Sequence, residues 1–173
     1  VPDKDGYVLI DELPDDDARV KEVFARFGLT AYKAQVFDHG LVNLVAFARG
    51  SEIIHRATEI DALFVELFRK TTGALVNTIS KENRLGPADL ETCRRAVSER
   101  NRLIHHFFRD HAEDFISAAG QQIMINDLAE IALLLDAAET ACSRVTLEVG
   151  KARGLTAELV NQEFNRLMER AAD

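Results

Sequence analysis

PADLETCRRAVSERNRLIHHFFRD, Pro87 to Asp110, carries the strongest helical signal in the chain. Pro87 suits a first helical turn, where its missing N–H is not needed, and Asp89 and Glu91 lie near the positive end of the helix dipole. Neither glycine nor proline follows until Gly120, so the helix can run to about Arg109 or Asp110. At about 100° per residue, Cys93, Val97, Ile104, Phe107 and Phe108 fall on one arc roughly 100° wide, the face expected to be buried. A helix with such a face needs other helices to cover it.

The flanking sequence supplies them. Asp15 or Asp16 can cap a first helix carrying Val20, Val23, Phe24 and Phe27, with Gly28 at its end. Thr30 can cap a second, running to about Arg49 with Phe37, Leu41, Leu44, Val45 and Ala48 inward; Gly40 interrupts it mildly. Ser51 can cap a third reaching about Lys70, where Thr71-Thr72-Gly73 breaks it. A short helix from about Ala74 to Lys81 leads to the turn Arg84-Leu85-Gly86-Pro87. After the motif helix and a loop through Gly120, a long helix to about Arg153 carries Ile123, Leu128, Ile131, Leu134, Leu135 and Ala138. Gly154 stops it, and Thr156 to Ala172 reads as a final amphipathic helix. The expected fold is all-α, an up-and-down bundle of about six helices over residues 17–173, preceded by a loosely ordered acidic segment, 1–16.

Composition agrees with one compact domain. A chain of 173 residues, 47% of them hydrophobic, can build a core without staples. No apolar run approaches the length of a membrane span, and the acidic opening Val-Pro-Asp-Lys-Asp lacks the order of a secretion signal. Two cysteines occur, Cys93 and Cys142, both on expected helices, and the apolar-face position of Cys93 suggests a small buried hydrophobe in a reducing cytoplasm rather than a staple. The net charge of −8 argues against indiscriminate nucleic-acid binding. Yet Arg94, Arg95, Arg100, Arg102 and Arg109, with three nearby histidines, make the motif helix locally basic.

That helix also concentrates chemistry. Arg100 projects inside the apolar arc, where an unpaired guanidinium would be costly. It needs a carboxylate such as Glu99 or Asp61, a snorkelling path to water, or a functional partner. Asn101 lies at the edge of the arc and His105 one turn further, so those two side chains are neighbours. Together they form a fixed cation, an amide and a titratable imidazole, suited to gripping a phosphate and moving a proton. Taken singly, His105 and His106 would more often be structural.

An arginine followed directly by a polar amide, with a histidine five residues after the arginine, resembles the Arg-x4–6-His signature of the HEPN superfamily. The Phe107-Phe108 continuation is also common there. The resemblance covers about residues 32–153 and implies a HEPN-like helical core whose motif works in a homodimer. It further implies a metal-independent endoribonuclease with no cofactor, acting as a toxin or phage-defence effector, with an antitoxin or nucleotidyltransferase partner protein. RNA supplies its own nucleophile, the 2′-hydroxyl beside the scissile phosphate. His105 would act as general base or acid. Arg100 would hold the non-bridging oxygens, and Asn101 would orient His105 or the phosphate. Arg102 and His106, read as outward-facing, would make auxiliary RNA contacts or stand solvated, and Arg109 is a further candidate for RNA binding. A small cationic site on an acidic body suits a local grip on RNA. Arg100 and His105 project roughly 140° apart on one helix, so they converge more readily where two copies meet on a two-fold axis.

Other readings compete. Non-catalytic HEPN-like bundles serve as binding or assembly modules for RNA, nucleotide or protein, and a ligand-binding regulatory bundle would look the same in sequence. Glu52-Ile53-Ile54-His55 has di-iron spacing but no second Glu-x-x-His to complete a centre. Asp3-Lys4-Asp5-Gly6 with Glu12 imitates a calcium loop, but Val1 falls on the first ligand position and no entering helix fits. Cys93 lies more than three turns from His105 on one helix, which rules out a Cys–His nucleophile between them.

Overall fold

A computed structural model describes residues 18–53, 57–154 and 156–172. The acidic segment and calcium-like opening lie outside them, and the side chains of Glu52 and His55 are likewise not described. Among the described residues there are seven α-helices, a 3-10 turn and no strand: α1 Ala18–Ile53, α2 Ala57–Phe68, α3 Thr72–Lys81, α4 Pro87–His105, α5 Phe107–Asp110, the turn Asp114–Ile116, α6 Ala118–Ala152 and α7 Ala157–Ala172. The all-α class expected from periodicity is what the described residues adopt.

The described residues divide into two compact units. One comprises 18–38 of α1 and 91–139, which takes in most of α4, α5, the 3-10 turn and the first part of α6. Here α1 is tied to α6 and α5, and α4 to α6. The Thr30 hydroxyl reaches Leu128 O, the Cys93 thiol lies 3.9 Å from Ala138 O, and Phe27 stacks at a tilt on Phe107 of α5. Phe37, Leu103, Phe107, Met124, Leu128 and Leu135 are among its fully enclosed side chains. The other unit holds 39–53, α2, α3, the start of α4, the rest of α6 and α7. Arg49 grips Glu82 from Nε and Nη2 at 3.0 and 2.9 Å, and Arg144 reaches Asp89 at 2.6 Å. Arg153 donates to the carbonyls of Phe47 and Ala48 just before Gly154, with φ of +86°, ends α6.

Three corrections concern helix boundaries; the first is that Ser51, read as the cap of a third helix, lies inside α1, which runs to Ile53. No break occurs between Gly28 and Thr30; α1 runs through both for 36 residues. Gly28 is exposed, and Thr30 is buried with its hydroxyl donating back to Arg26 O at 2.8 Å, so Thr30 needs no capping role. Burial of Val23, Ala34, Phe37 and Leu41 along one continuous stripe outweighs the local cost of the glycine. Conversely, α4 ends at His105. His106, at φ −134° and ψ −18°, leaves helical geometry before α5 starts.

At other points sequence and structure agree more closely. Thr71 caps α3, its Oγ1 accepting from Ala74 N–H at 3.3 Å, so that helix starts at Thr72 rather than Ala74. Gly120 lies inside the first turns of α6 rather than in a loop. A Cβ there would stand 2.2 Å from Asp114 O, so only glycine lets the 3-10 turn pack this tightly on α6.

Candidate functional site

The buried face of α4 is rotated from the arc read in the sequence. Cys93, Ala96, Leu103 and Phe107 are enclosed, whereas Ile104 is 43% exposed and Val97 and Phe108 are half-buried. The shift is roughly 60° toward Ala96 and Leu103. Small Ala96 permits a close helix approach there, and Arg102 draws the polar flank of α4 toward α6.

Arg100 remains within the rotated arc, and its partner is neither Glu99 nor Asp61. Its Nη2 donates to Asp38 Oδ2 on α1 at 2.8 Å, with both side chains about a quarter exposed. Its Nη1 reaches Asn101 Oδ1 at a long 3.4 Å, and its Nε is buried without an acceptor. Asn101 and His105 are exposed on the adjoining face of α4. The His105 ring lies 6.1 Å from that of His106, also exposed. One chain therefore places Arg100 beside Asn101 but does not join Arg100 to His105.

The three auxiliary positions separate. Arg109 is largely exposed and, among the described residues, pairs with its neighbour Asp110 at 3.2 and 3.3 Å. Arg102 is not the outward-facing residue expected from the sequence. It forks onto both oxygens of Asp127 on α6 at 2.9 and 2.7 Å, and its Nε donates to Glu99 at 2.7 Å. A bidentate guanidinium–carboxylate pair of this kind is directional and strong.

Asp127 also receives His111, whose other ring nitrogen meets Asp114. Glu99, Arg102, Asp127, His111 and Asp114 thus form one continuous charged chain. The Asp127 hydrogen bonds raise the Arg102 pKa, against burial and with help from Glu99. Burial works to raise that of Asp127, but hydrogen bonds from Arg102 and His111 outweigh it and hold the carboxyl below its usual range. For His111 burial acts downward, and Asp114 and Asp127 together carry the pKa above its ordinary value. Sequence reading missed Asp38, Asp127, Asp114 and the role of His111. The spacings Glu99–Arg102 and His111–Asp114, each three residues, were the available local signals.

Beside this chain a groove of about 300 Å³ runs between α4 and α6, lined by Arg95, Ser98, Glu99, Arg102, Asp127, Glu130, Ile131 and Leu134. Its inner cation and anion are already committed to each other. On the α1 side, Phe24, Phe27, Phe107, Phe108 and Phe115 form an aromatic cluster with ring centroids 4.9 to 6.1 Å apart. Phe24, at 41% exposure, and Ile104 leave apolar surface at the margin of this unit.

Among the described residues no three His, Cys, Asp or Glu side chains gather as metal ligands, and no helix is long and apolar enough to cross a membrane. Compared with protein-family models, curated proteins and solved structures, the chain matches none.

Proposed function

We propose that this chain is a cytoplasmic, metal-independent endoribonuclease of HEPN-like type, acting as a homodimer. The observation that carries the reading is the exposure of Asn101 and His105 one turn apart on α4, beside Arg100, which Asp38 holds in place. In the proposed reaction His105 takes the proton of the RNA 2′-hydroxyl, and the 2′-oxygen bonds to the adjacent phosphorus. The bond from phosphorus to the 5′-oxygen breaks and that oxygen takes up a proton. Arg100 supplies positive charge to the non-bridging oxygens while the phosphorane forms. The products are a 2′,3′-cyclic phosphate and a 5′-hydroxyl.

Exposed Ile104, Phe24 and the neighbouring Phe108 supply apolar surface that a second copy can cover, bringing the partner's motif helix close. His106 and Arg109 remain accessible for RNA phosphates, whereas Arg102 is reserved for Asp127. A toxin or defence role, with an antitoxin or nucleotidyltransferase partner, follows from the same resemblance.

One observation favours a second reading, a non-catalytic binding or assembly module. The charge of Arg100 is answered within its own chain, as a purely structural arginine's would be. Incubating RNA with the purified chain in excess EDTA separates the two. Cleavage abolished by His105→Ala with the fold retained supports the ribonuclease; intact RNA supports the module.

A further inference from the structure

His111 stands between two carboxylates, its Nδ1 2.7 Å from Asp114 Oδ2 and its Nε2 2.8 Å from Asp127 Oδ2. Ionised carboxylates only accept, and a neutral imidazole has a single N–H, so both contacts are hydrogen bonds only when the ring is an imidazolium. The ring is 12% exposed. Other charges reach it from few directions. Arg102 of α4 shares Asp127, Glu99 acts through Arg102, and Arg109 and Asp110 of α5 pair with each other at the surface. The Phe107 ring lies 4.7 Å from it, and α1 adds Phe27 behind Phe107.

We infer that residues 111–117 form a pH-operated latch: protonated His111 pins Asp114 to Asp127 of α6, and loss of its proton releases the Asp114 side chain and slackens the 3-10 turn that Asp114 begins. This inference goes beyond the ribonuclease reading and does not rest on it. The two carboxylates are unequal. Asp127 is gripped by both terminal nitrogens of Arg102 and is 22% exposed; Asp114 is 34% exposed and its side chain is held here by His111. When one proton leaves for solvent, retaining the other on Nε2 keeps the Asp127 bond. Asp114, now facing a lone pair, turns out to water. The turn then keeps its ties through Gln121 Nε2, which donates to Phe115 O at 3.0 Å, and through the Phe115 ring on Phe24 and Phe108, but loses its side-chain tie to His111. The two carboxylates outweigh burial in raising the His111 pKa, so the latch is closed at and below an ordinary histidine's midpoint and opens on its alkaline side.

The test is two-dimensional NMR of the full chain from pH 5.5 to 9. The His111 ring resonances should titrate with a midpoint above about 6.5, and the amide signals of Asp114 to Ser117 should move with that same midpoint. In Asp114→Asn the His111 midpoint should fall and the amide response disappear. In His111→Gln, the 114–117 signals should resemble the alkaline wild type at every pH. Should that variant not fold, Asp114→Asn decides alone. A His111 midpoint at or below about 6.5, or amides of 114–117 that ignore its titration, would overturn the latch.

Discussion

Arg100 Nη2 and Asp38 Oδ2 meet at 2.8 Å, joining α4 to α1 62 residues apart in sequence, while the Nε of the same arginine is enclosed without an acceptor. The pair therefore holds a cation that is only partly satisfied. Removing the acid should hurt more than removing both groups. We expect Asp38→Asn to cost about 1.5–3 kcal/mol in chemical denaturation, because a mostly buried charge loses its ionised partner. Arg100→Met in the same background should recover part of that loss, since methionine fills the site without an unmet N–H. A double variant less stable than Asp38→Asn alone would show that Arg100 packs for other reasons.

Two glycines of the first unit should respond to alanine with opposite signs. Gly28 lies inside α1 with nothing within 4 Å of the point where an alanine methyl would stand, so Gly28→Ala should stabilise by about 1 kcal/mol through helix propensity. Gly120→Ala gains the same propensity but drives its Cβ to 2.2 Å from Asp114 O and 2.4 Å from Asp114 Cα. The backbone must move, and we expect a net loss of about 1–3 kcal/mol. Melting temperatures of the two variants check both signs.

Stability should fall on both sides of a mildly acidic plateau. Asp127 has a depressed carboxyl pKa in the folded chain, so its contribution is present above the unfolded value of about 3.9 and is lost as pH falls through the folded one. His111 has a raised pKa, so its contribution is complete below about 6.5 and is lost as pH rises through the folded value. Asp127→Asn should weaken both limbs, because it removes the acid itself and one of the imidazolium's two anions. A pH–stability curve of unchanged shape in Asp127→Asn would contradict this assignment.

How far the sequence led can be judged from individual residues. Pro87, Thr71 and Gly154 act locally, through a fixed φ, a capping oxygen and a left-handed turn, and the helix boundaries they mark were legible. Thr30 misled because its hydroxyl is satisfied by a carbonyl four residues back and by Leu128, and that second partner is visible only in three dimensions. The neighbouring placement of Arg100 and Asn101 on one helix was legible. The acids that hold Arg100 and Arg102 were not, because Asp38 and Asp127 are 62 and 25 residues away and no local spacing links them. His111 was read only as one basic residue among several. Its role depends on the break at His106, which redirects the chain toward α6.

The proposed dimer makes a demand on subunit mixing. If the Arg100 of one protomer serves the His105 of its partner, combining Arg100→Ala and His105→Ala subunits restores one intact site per heterodimer. We expect RNA cleavage to return on mixing two inactive preparations. Continued inactivity with heterodimer formation verified by mass spectrometry would place both groups in one chain and sink the shared site.

End-group analysis of RNA cleaved in excess EDTA separates 2′-hydroxyl attack from every other route. Cleavage by His105 and Arg100 leaves 2′,3′-cyclic phosphate and 5′-hydroxyl termini, formed by the wild-type chain and absent with His105→Ala, whose circular dichroism should be unchanged. Termini carrying a 5′-phosphate, cleavage that vanishes with chelation, or equal cleavage by His105→Ala would contradict this mechanism.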